Sequence, residues 1–243
     1  MASTSDRSPI WAHPEPGSRR PRFTREQIAA TALTIADIEG FEAVSMRRIA
    51  TELGAGTMTL YHYVRTKDDL IALMDNAVMA EVLFADDELP IEWRAGLTAI
   101  ARRTREVQLR HAWAQHALQN AAAGPSAIRH VEQSLSVLSR TSLDTLQKFA
   151  VIGMVDDYVS GNVLRANEIR NEPGGAAANE PIMRFVNAQL ESGRYPHTEA
   201  AFTGADSREM WSKIAESAAG GEQFEIGLAA LLNGAADYYG LSD

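Results

Sequence analysis

SMRRIATELGAGTMTLYHYVRTK, residues 45 to 67, is the stretch of the sequence that decides the fold. Ser45, a residue type that often caps helices, precedes a short helical segment that ends at Gly54. After the turn Gly54-Ala55-Gly56, Thr57 can cap a second short helix, which we expect to run to about Val64. Two short helices joined by a three-residue turn are typical of a helix-turn-helix, whose second helix enters the major groove of DNA.

The two helices each have an apolar face and a polar face. The residues expected to pack inward are Ile49, Ala50, Leu53, either Met58 or Leu60, and Val64. The residues left to face outward are Thr57, Thr59, Tyr61, His62 and Tyr63. Hydroxyl groups can reach phosphates and base edges, and the methyl group of threonine can contact that of thymine. Arg47, Arg48 and Lys67 add cations on either side of the polar face. The pattern therefore predicts a DNA-binding surface.

Helix signals on both sides extend this segment to four helices. Thr24, with Gln27 three residues further on, has the pattern of a capping box and begins a helix that ends at Gly40. Thr66 caps the fourth helix, which has two aspartates in its first turn, where the helix dipole favours anions. We expect four helices with tight links over residues 24–84.

The segment resembles the DNA-binding domain of the TetR family of transcriptional regulators. The resemblance covers about residues 24–74 and rests on positions that match in order and spacing: Ile49-Ala50, Leu53-Gly54, Ala55, Leu60-Tyr61, Tyr63, Arg65, Lys67 and Leu70. It implies that the residues facing the operator are Arg47, Thr57, Thr59, Tyr61, His62 and Tyr63, and that Lys67 binds a phosphate. Gly56 and Met58 depart from the residues usual in the family, which bears on base preference and not on the fold.

A second interpretation is that these short helices are only core, with Tyr61 buried, because tyrosine in a helix is more often packed than functional. The polar residues concentrate on one face and basic residues flank it, which favours DNA binding. His62 either contacts a phosphate or is simply exposed.

The charge of the chain is unevenly distributed. The formal net charge is −9, yet residues 1–67 contain nine Lys or Arg and seven Asp or Glu, whereas the remainder contains 14 and 25. Because an acidic body repels DNA, contact must be confined to the N-terminal module. Residues 1–21 are rich in proline and serine and predict a mobile arm. Its basic end (Arg19, Arg20, Arg22 and Arg25) is either a solvated tail, which we favour, or an arm that follows a groove.

The rest of the chain is also predicted to be helical. Helices are expected near residues 91–109, 112–122, 126–141, 144–170, 180–192, 207–218 and 222–240, with loops at 171–179 and around Pro196. The predicted fold class is all-α: an N-terminal three-helix domain with the helix-turn-helix, plus a larger helical bundle, in a two-fold dimer. We divide the chain into the arm 1–21, a DNA-binding domain 22–84 and a C-terminal domain 85–243.

The resemblance implies that the C-terminal domain binds a ligand and forms the dimer. Apolar stripes lie on two of its helices: Ile152, Val155 and Val159 on one, and Phe224, Leu228, Leu231, Ala235 and Tyr238 on the other. These stripes predict either a four-helix dimer interface or core within one chain. A dimer would read a palindromic operator whose half-sites lie about one turn of DNA, roughly 34 Å, apart.

A ligand pocket is expected between helices of this domain. Candidate lining residues are His111, Trp113, His116 and Met154, with Asp157, Tyr158, Asn162 and Arg165 as polar contacts. His111 and His116 are five residues apart and do not share a helix face, so no metal site is predicted. An effector would release DNA by preferring one separation of the two recognition helices.

Composition and missing motifs exclude several classes. The chain has no cysteine, so it has no disulfide and no thiolate nucleophile. It has no apolar run of the ~20 residues that span a bilayer and no signal-peptide pattern, so we expect a cytoplasmic protein without a membrane partner. It has no dinucleotide fingerprint, phosphate loop or hydrolase elbow, so we expect neither an enzyme nor a cofactor.

The function predicted from these features is a one-component transcriptional regulator that binds double-stranded operator DNA as a homodimer, and the resemblance implies that it is a repressor. The resemblance implies that an unidentified small molecule releases it. The alternatives are a helical adaptor for protein partners and an enzyme on a similar scaffold.

Overall fold

The computed structural model describes residues 8–15, 23–85, 87–118, 121–171 and 179–242. Within these ranges every regular element is helical, which confirms the all-α fold class. No helix in the described part of the chain combines the length and apolarity needed to cross a bilayer. The chain divides into two compact units, one up to Phe149 and one over Ala150–Ser242.

The helices follow the chain in a simple order. The first unit contains α1 (Arg25–Glu39), α2 (Met46–Glu52), α3 (Thr57–Leu60), α4 (Lys67–Val82), α5 (Trp93–Arg110), α6 (Ala114–Ala117) and α7 (Pro125–Val137). The division between the units falls within α8 (Thr145–Asn171). The second unit continues with α9 (Glu180–Leu190), α10 (Pro196–Phe202), α11 (Ser207–Ala219) and α12 (Gly221–Tyr239). Single 3₁₀ turns occur at Ile10–Ala12 and Phe41–Ala43.

Three of the four helix caps predicted for the N-terminal helices are present. Thr24 and Thr66 each form a complete capping box, and the Ser45 side chain accepts a hydrogen bond from the Arg48 backbone N–H. Gly40 ends α1 with a φ of 88°, and Gly54 has a φ of 59°, conformations that other residues rarely adopt. Local capping therefore sets the boundaries of α1, α2 and α4.

The third helix is shorter than the sequence predicts. It ends at Leu60 rather than near Val64, and its N-cap is Gly56 rather than Thr57. The backbone N–H groups of Tyr63 and Val64 both bond to the Leu60 carbonyl, which tightens the chain into a turn after the helix.

Later helices match the predicted positions with two differences. The helix expected over 112–122 is the four-residue α6. The region around Pro196, predicted as a loop, forms α10, with Pro196 as its first residue. Proline fits there because the first helical N–H has no partner within the helix. Most of the loop predicted at 171–179 lies outside the described residues.

The helices α1, α2, α3 and α4 share one apolar core. It buries Ile28 and Ile35 of α1, Ile49 of α2, Leu60 of α3 and Met74 of α4. The same core includes Val107, Ala114 and Leu118, which lie beyond the predicted boundary at residue 84.

Residues 8–15, the described part of the predicted arm, pack against this core. Ile10 is 3% exposed and belongs to it, and Trp11 packs against it. Arg25, expected in the basic end of the arm, is buried at the start of α1. The remaining arm residues and arginines 19, 20 and 22 lie outside the described residues.

The first prediction concerns the anchor of α3. Leu60 is fully buried, so Leu60→Ala should lower the free energy of unfolding by about 3 kcal/mol through lost burial and a cavity. Met58→Ala, at a side chain that is 75% exposed on the same helix, should change it by less than about 0.5 kcal/mol. Urea unfolding followed by circular dichroism measures both, and equal effects would contradict the assigned orientation of α3.

The second prediction concerns Asp75 on α4. Burial raises the pKa of Asp75 to about 6, so the folded protein binds a proton that the unfolded chain releases above about pH 4. The protein therefore loses stability as the pH rises from about 4 to above 6. Because the side chain is partly exposed, we expect Asp75→Asn to raise the free energy of unfolding at pH 7.5 by roughly 1 to 2 kcal/mol, and by less at pH 5. An equal gain at both pH values would contradict this assignment.

Candidate nucleic-acid interface

The short helix α3 presents one buried edge and one exposed face. Leu60 and Val64 are fully buried, whereas Met58 is 75% and Tyr61 43% exposed. His62 is exposed, and Thr57 and Thr59 are half-buried. The sequence left open whether Met58 or Leu60 packs inward, and the structure shows that Leu60 does. The interpretation in which Tyr61 belongs to the core does not fit its exposure.

Tyr63 does not lie on the exposed face. It was predicted to face outward, but its side chain is only 8% exposed and belongs to the core. The turn after Leu60 is the reason, because it directs Tyr63 to the inner side. Met58 takes its place as an exposed residue that the predicted contact set lacked.

Three exposed cations lie on the segments that flank α3 in the sequence. Arg47 on α2, Arg65 after the turn and Lys67 at the first position of α4 are all exposed. Lys67 Nζ lies 6.0 Å from the centre of the Phe41 ring, within range of a cation–π contact. Arg65 was part of the quoted sequence pattern but was not predicted as a contact. Hydroxyl groups flanked by cations at the end of a helix can bind a phosphate backbone.

Arg48 differs from these cations because carboxylates already pair with it. Its guanidinium lies 2.7 Å from Glu39 on α1 and 2.7 Å from Glu52 on α2. The side-chain hydrogen bond with Glu39, followed by that with Glu52, raises the pKa of Arg48, so the group stays charged. The structure thus places Arg48 in a link between α1 and α2.

A cleft in the second unit gathers half of the predicted ligand contacts. Asp157, Tyr158, Asn162 and Arg165, all on α8, line a cleft of about 670 Å³. The opposite side comes from α11 and α12 and includes Lys213, Ile214, Ser217 and Gln223. No pattern in the sequence identified those four residues as ligand contacts. The cleft holds both signs of charge next to apolar carbon.

Tyr158 links α8 to α12 at the edge of this cleft. Its hydroxyl donates to the Phe224 carbonyl at 2.9 Å, and its ring stacks on the Phe224 ring at 5.5 Å. A Cβ at position 227 would overlap the Tyr158 hydroxyl, so this approach requires Gly227.

The other four predicted ligand contacts lie elsewhere. His111 is buried in the first unit, 2.8 Å from Asp37 and 3.3 Å from Glu81, and Trp113 donates to Asp37 at 2.7 Å. His116 and Met154 are exposed and do not line the cleft. Among the described residues, no group of His, Asp and Glu is suited to hold a metal ion.

Most of the predicted dimer residues are core within a single chain. Those buried in the monomer are Ile152, Val155, Val159, Phe224, Leu228 and Ala235. Leu231 is half-buried, and Tyr238 is 82% exposed. The apolar stripes thus follow the second of the two interpretations that the sequence left open, except at the C-terminal end of α12.

Two family models match the chain. Residues 28–74 match the model of "Bacterial regulatory proteins, tetR family", and residues 88–239 match "Tetracyclin repressor-like, C-terminal domain". The chain belongs to the TetR family. The two matches together cover the helix-turn-helix and most of the remaining helices of this TetR-family protein.

Relatives of this TetR-family protein are regulators by name. It is 36% identical over 186 residues to the HTH-type transcriptional repressor DrrR1 of Streptomyces coeruleorubidus, covering 73% of this chain and 68% of that one. It is 34% identical over 169 residues to an HTH-type transcriptional regulator of Saccharopolyspora erythraea, covering 66% and 70%. The protein is therefore a DNA-binding transcriptional regulator and not an enzyme, as predicted.

Solved structures share the fold of this TetR-family regulator. The structure of apo ActR from Streptomyces coelicolor aligns with a TM-score of 0.67 at 24% identity and covers 92% of this chain and 99% of that one. ActR in complex with actinorhodin aligns with a TM-score of 0.63 at 22% identity, covering 90% and 97%. At these identities the likeness concerns the fold alone.

The exposed face of α3 leads to a prediction about DNA affinity. Tyr61→Ala and Lys67→Ala should each weaken operator binding by about tenfold, because each removes a group able to bond to a phosphate. Helix content should stay unchanged, since both side chains are exposed. Gel-shift titration measures the affinity, and Arg184→Ala, at an exposed cation on α9 outside the cleft, is the charge-matched control. Affinities equal to that of the wild type would remove these residues from the interface.

Proposed function

We propose that this regulator is a dimeric repressor, that it binds a palindromic operator through the exposed face of α3, and that a small molecule in the α8–α11–α12 cleft releases it. The observation that carries the first part is the burial of Leu60 and Val64. With these anchors inward, Thr57, Thr59 and Tyr61 face outward between Arg47 and Lys67. Arg65, Met58 and His62 border the same face, whereas Tyr63 is buried behind it and Arg48 links α1 to α2.

The size of α3 supports a dimer. Four residues span only about 6 Å, so one copy can read only a few base pairs. Two copies related by a two-fold axis read two half-sites and multiply the selectivity. The acidic remainder of the chain adds to this selectivity, because it disfavours DNA contacts outside the small basic face.

Exposed apolar side chains of α8 and α12 are the surface we assign to the dimer. On α12 these are Ile226, 55% exposed, and Tyr238, 82% exposed. On α8, Met154 and Leu164 are each 37% exposed. Exposed apolar groups on two long helices fit a four-helix interface between two chains. This assignment replaces the buried residues predicted from the sequence.

The cleft is the site we assign to the effector. Its volume of about 670 Å³ lies within the range of small-molecule sites, and it combines apolar wall with a few charged groups. ActR, which shares the fold, is known in complex with actinorhodin. An effector that binds one separation of the two recognition faces more tightly than another shifts the population away from the DNA-binding state. Because its target is DNA inside the cell, we expect the regulator to act in the cytoplasm.

The test of this proposal is selection from a random duplex library with the purified wild-type protein, followed by gel-shift titration of the enriched duplex at two salt concentrations. We expect two inverted half-sites whose centres lie about 34 Å apart. Affinity should fall as salt increases, since lysine and arginine displace counterions from phosphates.

The control is a double variant, Tyr61→Ala with Lys67→Ala, carried through the same selection. It should enrich no sequence while keeping wild-type helix content. Enrichment of a single, non-repeated site by the wild-type protein would contradict the dimeric mode of binding. Failure of the folded wild-type protein to enrich any duplex would contradict operator recognition by this face.

A further inference from the structure

Arg25 is a buried arginine that joins three separate parts of the first unit. It lies at the first position of α1 and is 9% exposed. Its Nη1 donates to the carbonyl oxygens of Ile10 at 3.0 Å and His13 at 2.8 Å. Its Nε donates to the carbonyl oxygen of Tyr63 at 3.2 Å. The planar guanidinium thus connects residues 8–15 to the turn that follows α3.

Residues 8–15 are fixed to the first unit at further points. Ile10 is inserted in the apolar core, and the Glu15 carboxylate accepts the Arg25 backbone N–H at 3.2 Å. A carboxylate at this place is favourable, because α1 begins here and its free N–H groups attract negative charge. We call residues 8–15 the N-terminal brace.

The contact with Tyr63 bears on the recognition face. Tyr63 follows α3 directly, and its own N–H bonds to the Leu60 carbonyl. A helix of four residues has almost no stability of its own, so its orientation depends on what holds its two ends. The Arg25–Tyr63 bond holds the C-terminal end, at the opposite end from the Gly54-Ala55-Gly56 turn.

We propose that Arg25 and the N-terminal brace are a positioning device that sets the orientation of α3 for base recognition without touching DNA. This inference rests on the proposed function, because it concerns the same DNA-binding face. Arg25 points its donors at three backbone carbonyls inside the protein, and its burial removes it from phosphates. The brace therefore contributes to selectivity rather than to electrostatic attraction.

Binding to two duplexes distinguishes positioning from DNA contact. A phosphate-binding arginine contributes to every sequence alike, whereas a misplaced recognition helix weakens only base-dependent binding. We would measure the dissociation constants for the selected duplex and for a scrambled duplex of equal length. The variants are Arg25→Met, which removes the donors, and Arg25→Lys, which keeps the charge but loses the planar fork. Arg47→Met, at an exposed cation, is the comparator.

We expect Arg25→Met to bind the selected duplex at least tenfold more weakly and the scrambled duplex within twofold of the wild type. Arg25→Lys should recover part of the loss, because one ammonium group can reach fewer of the three carbonyls. Arg47→Met should weaken both duplexes alike and reduce the salt slope by about one. If Arg25→Met weakens both duplexes equally, or neither of them, the proposal is overturned.

Hydrogen exchange without DNA tests the brace independently of the proposed function. In Arg25→Met the backbone amides of residues 57–64 should exchange at least tenfold faster than in the wild type, whereas those of α12 should not change. Unchanged exchange in residues 57–64 would overturn the brace even if the wild type selects an operator. Faster exchange in a protein whose wild type selects no duplex would support the brace and refute the operator.

A second variant covers the case in which Arg25→Met does not fold. Ile10→Ala removes the apolar anchor of the brace and keeps the arginine, so it should show the same loss on the selected duplex to a smaller degree. Ile38→Ala, at a side chain that is 78% exposed on α1, is the matched control and should bind both duplexes as the wild type does. Wild-type binding by a folded Ile10→Ala protein would overturn the role of the brace.

Discussion

The proposed DNA-binding face depends on the burial of two side chains, Leu60 and Val64. A four-residue helix cannot fix its own shape, because so few backbone hydrogen bonds do not offset the cost of ordering the chain. The core of α1, α2 and α4 does so instead, by accepting these two side chains in full. Since the inward edge is thus occupied, the hydroxyl groups of α3 are left outside. The outer surface carries these polar side chains, with Met58 among them, because its opposite edge is packed.

Local chemistry made much of the fold predictable from the sequence. The caps at Thr24, Ser45 and Thr66 act within a single turn of chain, so their residue types suffice to place three helices. The end of α3 depends on a turn whose inner residue, Tyr63, is buried by distant parts of the chain, and no local pattern reports that. The helix α10 was missed because proline was read as a breaker, although it is tolerated at a first helical position.

Some of the proposed site residues could likewise be predicted from local sequence, and others could not. Of the four cleft residues on α8, Tyr158, Asn162 and Arg165 recur at helical spacing, so they share a face and could be predicted together. Their counterparts on α11 and α12, such as Lys213, are distant in sequence and had no signal. Arg25 has the appearance of one more basic arm residue until its carbonyl partners are known. An apolar stripe can pack against a partner chain or against the chain's own core, so the sequence alone left both interpretations open.

The central claim, that the face built on α3 reads DNA, is tested most directly by hydrogen exchange of the wild-type protein with and without its selected duplex. The account predicts that DNA slows exchange in residues 45–67 and leaves the cleft residues of α8 and α11 without direct protection. Protection confined to residues 150–242, with none in residues 45–67, would contradict it.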